Sequence, residues 1–282
     1  MLTKPKAAPG TEASPHPVAV RLTEVTRVFG DPRSPKRVHA LGPVSLELRA
    51  GEFFSVVGPS GCGKSTLLDI LAGLNPPSAG TAEFDGQPIR GVPDHVGVVF
   101  QEDASFAWLT VEANIAFGLK RQGLPADEIR RRVDYALAFM GLKDFRHAYP
   151  VQLSGGMRQR VCIARTLVLQ PRLILLDEPF GALDQQTRLI MGDELLRMWR
   201  ETHATVLLIT HSLDEAAMLS DRVGVMSARP GKFIGTFETG WPKDRDSRIV
   251  THPHFGELTA RLWEKLRVET MKHMQGEARG EA

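Results

Sequence analysis

The sequence predicts an α/β fold with an N-terminal antiparallel β-subdomain and an α-helical subdomain, on three observations. Apolar runs of strand length, Phe53-Phe54-Ser55-Val56-Val57, Leu173-Ile174-Leu175-Leu176 and Thr205-Val206-Leu207-Leu208-Ile209, alternate with helix-length segments. Predominantly apolar runs of that length fit strands of a parallel sheet buried on both faces. Ahead of the first run, Val18, Val20 and Leu22, then Val44, Leu46 and Leu48, alternate with polar residues, as half-buried strands do. Between about 102 and 160 this patterning gives way to helical periodicity over 111–120 and 126–140.

In chain order, residues 1–17 are rich in Pro, Ala, Lys and Thr and almost lack large apolar side chains, so a disordered leader is expected. Two or three antiparallel strands follow, with a turn-rich loop at Gly30-Asp31-Pro32-Arg33-Ser34-Pro35-Lys36. Phe29, just before that loop, is either a flat platform for a nucleobase or a core phenylalanine at a strand end.

The strand at 53–57 runs into Gly58-Pro59-Ser60-Gly61-Cys62-Gly63-Lys64-Ser65-Thr66, and a helix closed by Gly73 follows. This fits G-x-x-x-x-G-K-[ST] in the strand–loop–helix setting that gives the pattern meaning. Its glycines let backbone N–H groups surround a phosphate, and the helix N-terminus adds partial positive charge. Lys64 is placed to reach the β- and γ-phosphates of a nucleotide, and Ser65 to offer its hydroxyl to Mg²⁺. Cys62, inside the loop, is a small filler or, in electropositive surroundings, a reactive thiol of lowered pKa.

Thr81-Ala82-Glu83-Phe84, Asp85-Gly86 and Gln87-Pro88-Ile89 read as a hairpin. Val96-Gly97-Val98-Val99-Phe100 is expected as a central strand buried on both faces, ending at Gln101. In the helical stretch, Arg130-Arg131-Arg132 reads as a solvated helix face, and Trp108 as either a local plug or a partner contact. Ser154-Gly155-Gly156 then opens another helix, a second anion site that one bound triphosphate does not explain.

Leu173-Ile174-Leu175-Leu176-Asp177-Glu178 ends a buried strand on two acids, costly unless a cation or hydrogen bonds compensate. Asp177 fits a Mg²⁺-orienting acid and Glu178 a group that polarises an attacking water. Asp184 follows in a loop before a helix running to Arg200. The strand at 205–210 ends at His211, a structural cap or a donor to a terminal phosphate. Gly58, Gln101, Asp177-Glu178 and His211 are thus expected along one edge of one sheet, where ligands bind in open α/β folds. Two more strands, at 223–226 and 233–237, precede a tail over 240–282. In the tail Phe255, Leu258, Leu262 and Leu266 share a helix face, expected to pack on the core.

Bulk properties narrow the function classes. The 282 residues, 42% hydrophobic and 24% charged with net charge +2, suit a globular chain with no strong field for nucleic acid or membrane. The apolar runs are too short to span a bilayer, and no secretory apolar segment is seen near the N-terminus. The two cysteines, Cys62 and Cys162, have no metal-ligand spacing, which favours a reducing compartment.

Together these motifs resemble the nucleotide-binding ATPase subunit of ABC transporters, over residues 18–239. The resemblance implies a P-loop NTPase fold with a RecA-like core and a helical subdomain at about 102–160. It also implies binding of ATP and Mg²⁺, with Phe29, residues 58–66, Ser154, Gly155, Gly156 and Asp184 touching nucleotide, and Ser65, Gln101 and Asp177 touching the metal. Glu178, Gln101 and His211 would carry hydrolysis. A second ATPase subunit, expected to be a second copy, would pair head-to-tail so that Ser154, Gly155 and Gly156 meet the γ-phosphate on the partner's Lys64. Membrane permease subunits would dock near Trp108, a periplasmic solute-binding protein would act indirectly, and no nucleic acid is expected. The expected location is the cytoplasmic face of the inner membrane.

Phe100-Gln101-Glu102-Asp103, Trp108-Leu109-Thr110-Val111 and Met226-Ser227-Ala228-Arg229-Pro230-Gly231 are similar to the nitrate/sulfonate/taurine/bicarbonate import branch. Ser105-Phe106-Ala107 departs from that branch's bulkier Leu-Leu-Pro, and Phe29 replaces its commoner tyrosine. One alternative is a soluble ABC ATPase not coupled to a transporter. Such chains carry coiled-coil or zinc insertions or two cassettes, which this sequence lacks. Another is a cassette that binds nucleotide without turnover, against which Lys64, Glu178 and His211 stand.

Overall fold

Strand residues sort alternately onto two cores. The computed structural model describes residues 17–31, 37–101, 104–181 and 183–278. The chain runs β1 (Val18–Phe29), β2 (Val38–Arg49), β3 (Phe53–Val57), α1 (Lys64–Leu71), β4 (Ala79–Phe84), β5 (Gln87–Pro88) and β6 (Val96–Val99). There follow α2 (Val111–Arg121), α3 (Ala126–Phe139), α4 (Gly155–Leu167), β7 (Leu173–Asp177), α5 (Gln185–Thr202), β8 (Thr205–Ile209), α6 (Leu213–Leu219), β9 (Arg222–Met226), β10 (Phe233–Glu238) and α7 (Pro253–Ala278).

A six-stranded sheet has the order β10-β9-β3-β8-β7-β6. Its strands are parallel except β10. Phe53, Val57, Ile174, Leu176, Val206 and Leu208 face a core shared with α2 to α7. Phe54, Val56, Leu173, Leu175, Leu207 and Ile209 face the other core, shared with α1, β1, β2 and β4. Being buried on both faces is why β3, β7 and β8 read as hydrophobic runs with little polar interruption, Ser55 inside β3 being the exception.

A four-stranded antiparallel sheet, β2-β1-β4-β5, covers the second core. It takes two strands from before the phosphate loop and the Asp85-Gly86 hairpin from after it, while β3 joins the parallel sheet. The expectation that β6 is central and doubly buried is corrected. It is the edge strand, paired only with β7, with alternate residues half-exposed. Gln101 therefore ends an edge strand. Short, glycine-containing Val-Gly-Val-Val has the composition of a buried strand, but strand order is a non-local property.

Helices α2, α4, α5 and α6 begin on Thr110, Ser154, Asp184 and Ser212, whose side chains accept from the backbone N–H three residues on. Each such cap is worth about 1 kcal/mol. Helix α7 lies on the first core through Phe255, Leu258, Leu262 and Leu266. Leu258 and Leu262 are fully buried, each stabilising by roughly 1.5–3 kcal/mol. The expected leader and the Pro32–Lys36 loop lie outside the described residues, apart from Pro17, whose carbonyl accepts from the Ala50 N–H at 2.8 Å. No helix among the described residues is long and apolar enough to cross a membrane.

Candidate active site

β3 delivers the chain into the phosphate loop. Gly61 (φ 68°) and Gly63 (φ 103°) are left-handed, and Gly63 precedes α1. A Cβ on Gly63 would sit 2.6 Å from the Ala40 carbonyl oxygen, so conformation and space both require glycine there. Pro59 and Cys62 are buried, Thr66 is half-buried, and Ser60, Gly61 and Ser65 are exposed. Lys64 is 7% exposed, and its Nζ donates to the Gly58 and Pro59 carbonyls, both at 2.9 Å. A buried ammonium held by neutral carbonyls is an under-compensated charge, and an anion in the loop would complete it.

β7 brings Asp177 beside this loop. Burial pushes its carboxyl pKa up; the Ser65 hydroxyl and Lys64 charge act against that, and the Glu178 charge adds to it. Its Oδ1 is buried and makes no hydrogen bond. No group of three or more His, Cys, Asp or Glu among the described residues could cage a metal alone. An orphaned carboxylate oxygen near a serine hydroxyl fits instead a Mg²⁺ that takes its other ligands from phosphate and water.

The next residue turns sharply. Glu178 has φ 46°, an uncommon left-handed conformation for a residue with a side chain, costing about 1–2 kcal/mol. Its N–H donates to the Ile209 carbonyl at 2.9 Å, anchoring the turn to β8. The carboxylate Oε2 accepts from Gln101 Nε2 at 3.0 Å and lies 3.1 Å from His211 Nδ1. The ends of β6, β7 and β8 therefore meet on one oxygen atom. Strain held by hydrogen bonds at such a junction is what a functional turn shows.

The remaining expected residues make local contacts of their own. Ser154 caps α4, its hydroxyl accepting from the Met157 N–H at 3.3 Å; Ser154 and Gly155 are exposed. A Cβ on Gly156 would approach Leu183 Cδ2 to 2.6 Å, which places this turn against the segment before Asp184. Asp184 accepts from the Thr187 N–H and hydroxyl at 3.0 and 2.6 Å. Phe29 is 37% exposed, and the Arg27 guanidinium covers its ring at 4.7 Å.

The reactive-thiol expectation for Cys62 is corrected. The residue is 1% exposed, and burial pushes its thiol pKa up despite the opposing charges of Lys64 and Arg229. No disulfide joins it to Cys162, which is also buried.

Three residues near the site escaped the sequence reading. Glu215, 5% exposed, accepts from the Thr210 hydroxyl at 2.5 Å and pairs with Arg188 Nε at 3.2 Å, while Arg188 donates to the Leu183 carbonyl. This links the Asp184 loop to the segment bearing His211. The available signal was spacing: Arg188 and Glu215 each stand four residues after Asp184 and His211. Arg229 Nε donates to the Gly61 carbonyl at 3.1 Å. Its signal was a basic residue just past β9, which runs parallel to β3 toward the same edge.

A family profile described as ABC transporter matches residues 41–181. The chain belongs to the ABC transporter family. It is an ATP-binding cassette ATPase with the P-loop NTPase fold. A taurine import ATP-binding protein of Roseobacter denitrificans is 44% identical over 235 residues, covering 80% of this chain and 88% of its own. A nitrate import ATP-binding protein of Synechocystis is 42% identical over 256 residues, covering 88% and 95%. A solved dimeric ATP-binding cassette in a post-hydrolysis state, bound to ADP and Pi, superposes with a TM-score of 0.71. It is 31% identical, and the match covers 78% of this chain and 98% of that one. This ABC cassette therefore shares its fold with a scaffold that has been solved with ADP and Pi bound.

Proposed function

We propose that this cassette hydrolyses ATP to energise uptake of a small anion or sulfonate-type solute through a separate permease, as a peripheral subunit on the cytoplasmic face of the inner membrane. The observation that carries the catalytic part is the junction on Glu178 Oε2, where Gln101 and His211 converge beside the unpartnered Asp177 oxygen. Similarity to taurine and nitrate import proteins across most of the chain supports the importer branch. No observation favours a soluble cassette.

In this reading the loop of residues 58–66 holds the triphosphate, Lys64 releases its own loop carbonyls to meet the β- and γ-phosphates, and Phe29 supports the base. Ser65, Asp177 and Gln101 would hold Mg²⁺, which neutralises phosphate charge. Glu178 orients and polarises the attacking water, Gln101 and His211 fix its carboxylate, and His211 donates toward the terminal phosphate. Ser154, Gly155, Gly156 and Asp184 complete the site of a second copy, head-to-tail. The dimeric assembly of the solved relative supports that pairing. The catalytic unit spans residues 18–239 with its helical subdomain at about 102–160, and residues 240–282 form the tail. Trp108, 73% exposed and stacked on Phe106, would meet the permease.

The test is to purify the chain with its neighbouring gene products and assay ATPase in lipid. Binding proteins loaded with taurine, other sulfonates, nitrate or bicarbonate are added in turn. One of them should stimulate hydrolysis. Robust hydrolysis with no membrane partner recovered would instead favour the soluble reading.

A further inference from the structure

The segment 227–232, between β9 and β10, is built against the outside of the phosphate loop. A Cβ on Gly231 would lie 2.0 Å from the Cys62 carbonyl oxygen, so the two backbones touch directly. Gly231 donates to the Ala40 carbonyl at 3.0 Å and accepts from the Gly42 N–H at 3.1 Å, which pins the segment to β2. Ser227 closes it internally, its hydroxyl donating to the Ala228 carbonyl at 2.9 Å and accepting from the Lys232 N–H at 3.1 Å. From this platform Arg229 Nε reaches the Gly61 carbonyl at 3.1 Å.

The other end of the segment is held by the C-terminal helix. The Ala228 N–H donates to Glu269 Oε2 at 3.0 Å, and Lys272 Nζ holds Glu269 Oε1 at 2.7 Å. Glu269 is 7% exposed and stands 41 residues beyond Ala228. A continuous path of short bonds thus joins α7 to the phosphate loop. Its physical effect follows from peptide geometry. In a trans peptide the C=O and N–H point oppositely, so tying the Gly61 carbonyl outward orients the Cys62 N–H inward. That N–H makes a long, 3.4 Å bond to the Pro59 carbonyl. The guanidinium also adds positive charge behind the anion cradle.

We propose that Arg229, steadied by Glu269 of the C-terminal helix, is a positioning residue that sets the affinity of the phosphate loop for nucleotide. The inference rests on the proposed ATPase reading. It gives the C-terminal tail a defined role, in which whatever shifts α7 changes nucleotide affinity.

The experiment is calorimetric titration of the full-length chain with ADP, alongside steady-state ATPase kinetics. Arg229→Met keeps the side-chain stem and removes the donor and charge. It should weaken ADP binding about fivefold, below the ceiling for a charged hydrogen bond because the group is exposed. The kcat at saturating ATP should stay within about twofold, whereas a variant that merely loosens the fold would lower kcat and thermal stability together. Glu269→Ala should weaken ADP binding about threefold, and the double variant should be no weaker than Arg229→Met alone, since one residue acts through the other. Glu269→Gln, which retains an acceptor for the Ala228 N–H, should bind like wild type and keeps the test open if Glu269→Ala unfolds the helix. Unchanged ADP affinity in Arg229→Met, or full additivity in the double variant, would overturn the inference alone. A wild-type chain that binds no ADP would remove the proposed function, and this inference with it.

Discussion

The phosphate loop and the Ser154-Gly155-Gly156 turn both stand at helix N-termini and are both proposed as anion cradles, but they are completed differently. Around the loop the chain supplies the whole set: a buried ammonium, an unpartnered carboxylate oxygen, and Glu178 gripped by Gln101 and His211. At the turn it supplies an exposed serine cap and glycine backbone, with no lysine or catalytic acid among the described residues bonded to the cap. A site built of strand ends is finished by the sheet that makes it. A site built of one helix end offers donors to something else. The proposed head-to-tail pair joins the two halves, and single substitutions can break either half while leaving the other in place.

The largest effect is expected from Glu178→Gln, which preserves volume and an acceptor for Gln101 but removes the charge proposed to polarise water. Turnover should fall by roughly a hundredfold or more, the range of a general base. ATP binding should persist, so ATP should drive the chain into a dimer visible by size-exclusion chromatography. Near-normal hydrolysis would remove Glu178 from the reaction.

Lys64→Ala attacks the same half at binding. A charge-assisted contact is worth about 1.5–3 kcal/mol, so nucleotide affinity should fall about ten- to hundredfold in a titration. Unchanged affinity would leave the buried ammonium without a function and dissolve the contrast between the two cradles.

Ser154→Asp tests the open half. Aspartate caps a helix as well as serine, so α4 should keep its stability and the melting temperature should hold. A negative charge would now face the incoming phosphate. ATP-driven dimerisation and turnover should drop by about tenfold, while ADP affinity of the monomer stays at the wild-type value. Loss of monomer affinity instead would place this turn in the first half.

How much of this could be read from the residues differs by the same division. β3, β7 and β8 were legible because strands buried on both faces leave few polar positions to interrupt the run, and the one inside β3, Ser55, is small and bonded to the Ser220 hydroxyl. The phosphate loop was legible because its conformation demands glycines at fixed offsets. The edge position of β6 was not, because pairing order depends on which strands meet, not on what any one contains. Asn114 is the sharpest omission. It reads as an ordinary polar position on α2, yet it is fully buried, donates to the carbonyls of Phe106, Leu109 and Thr110, and accepts from the Phe106 N–H. It thereby fixes the loop that displays Trp108, a contact visible only once loop and helix are folded together.

Cys62 shows the same limit inside the most legible motif, and it carries the smallest expected effect. From the sequence its setting beside Lys64 in an anion-binding loop would favour a thiolate, and the fold adds a second cation, Arg229. In the fold the thiol is buried against Gly58 while segment 227–232 packs on the Cys62 carbonyl, and burial outweighs both charges. The thiolate is the reacting species, so a raised pKa means less of it at neutral pH. Alkylation by iodoacetamide should be slower than for a free cysteine, and its rate should climb with pH only beyond the ordinary thiol range. ATPase activity should survive a treatment that fully modifies an exposed thiol. Addition of ATP should change little, because access is blocked from the protein side. Rapid modification at neutral pH with loss of activity would mean that the wall formed by segment 227–232 opens, and would set the phosphate loop closer in character to the solvent-facing half.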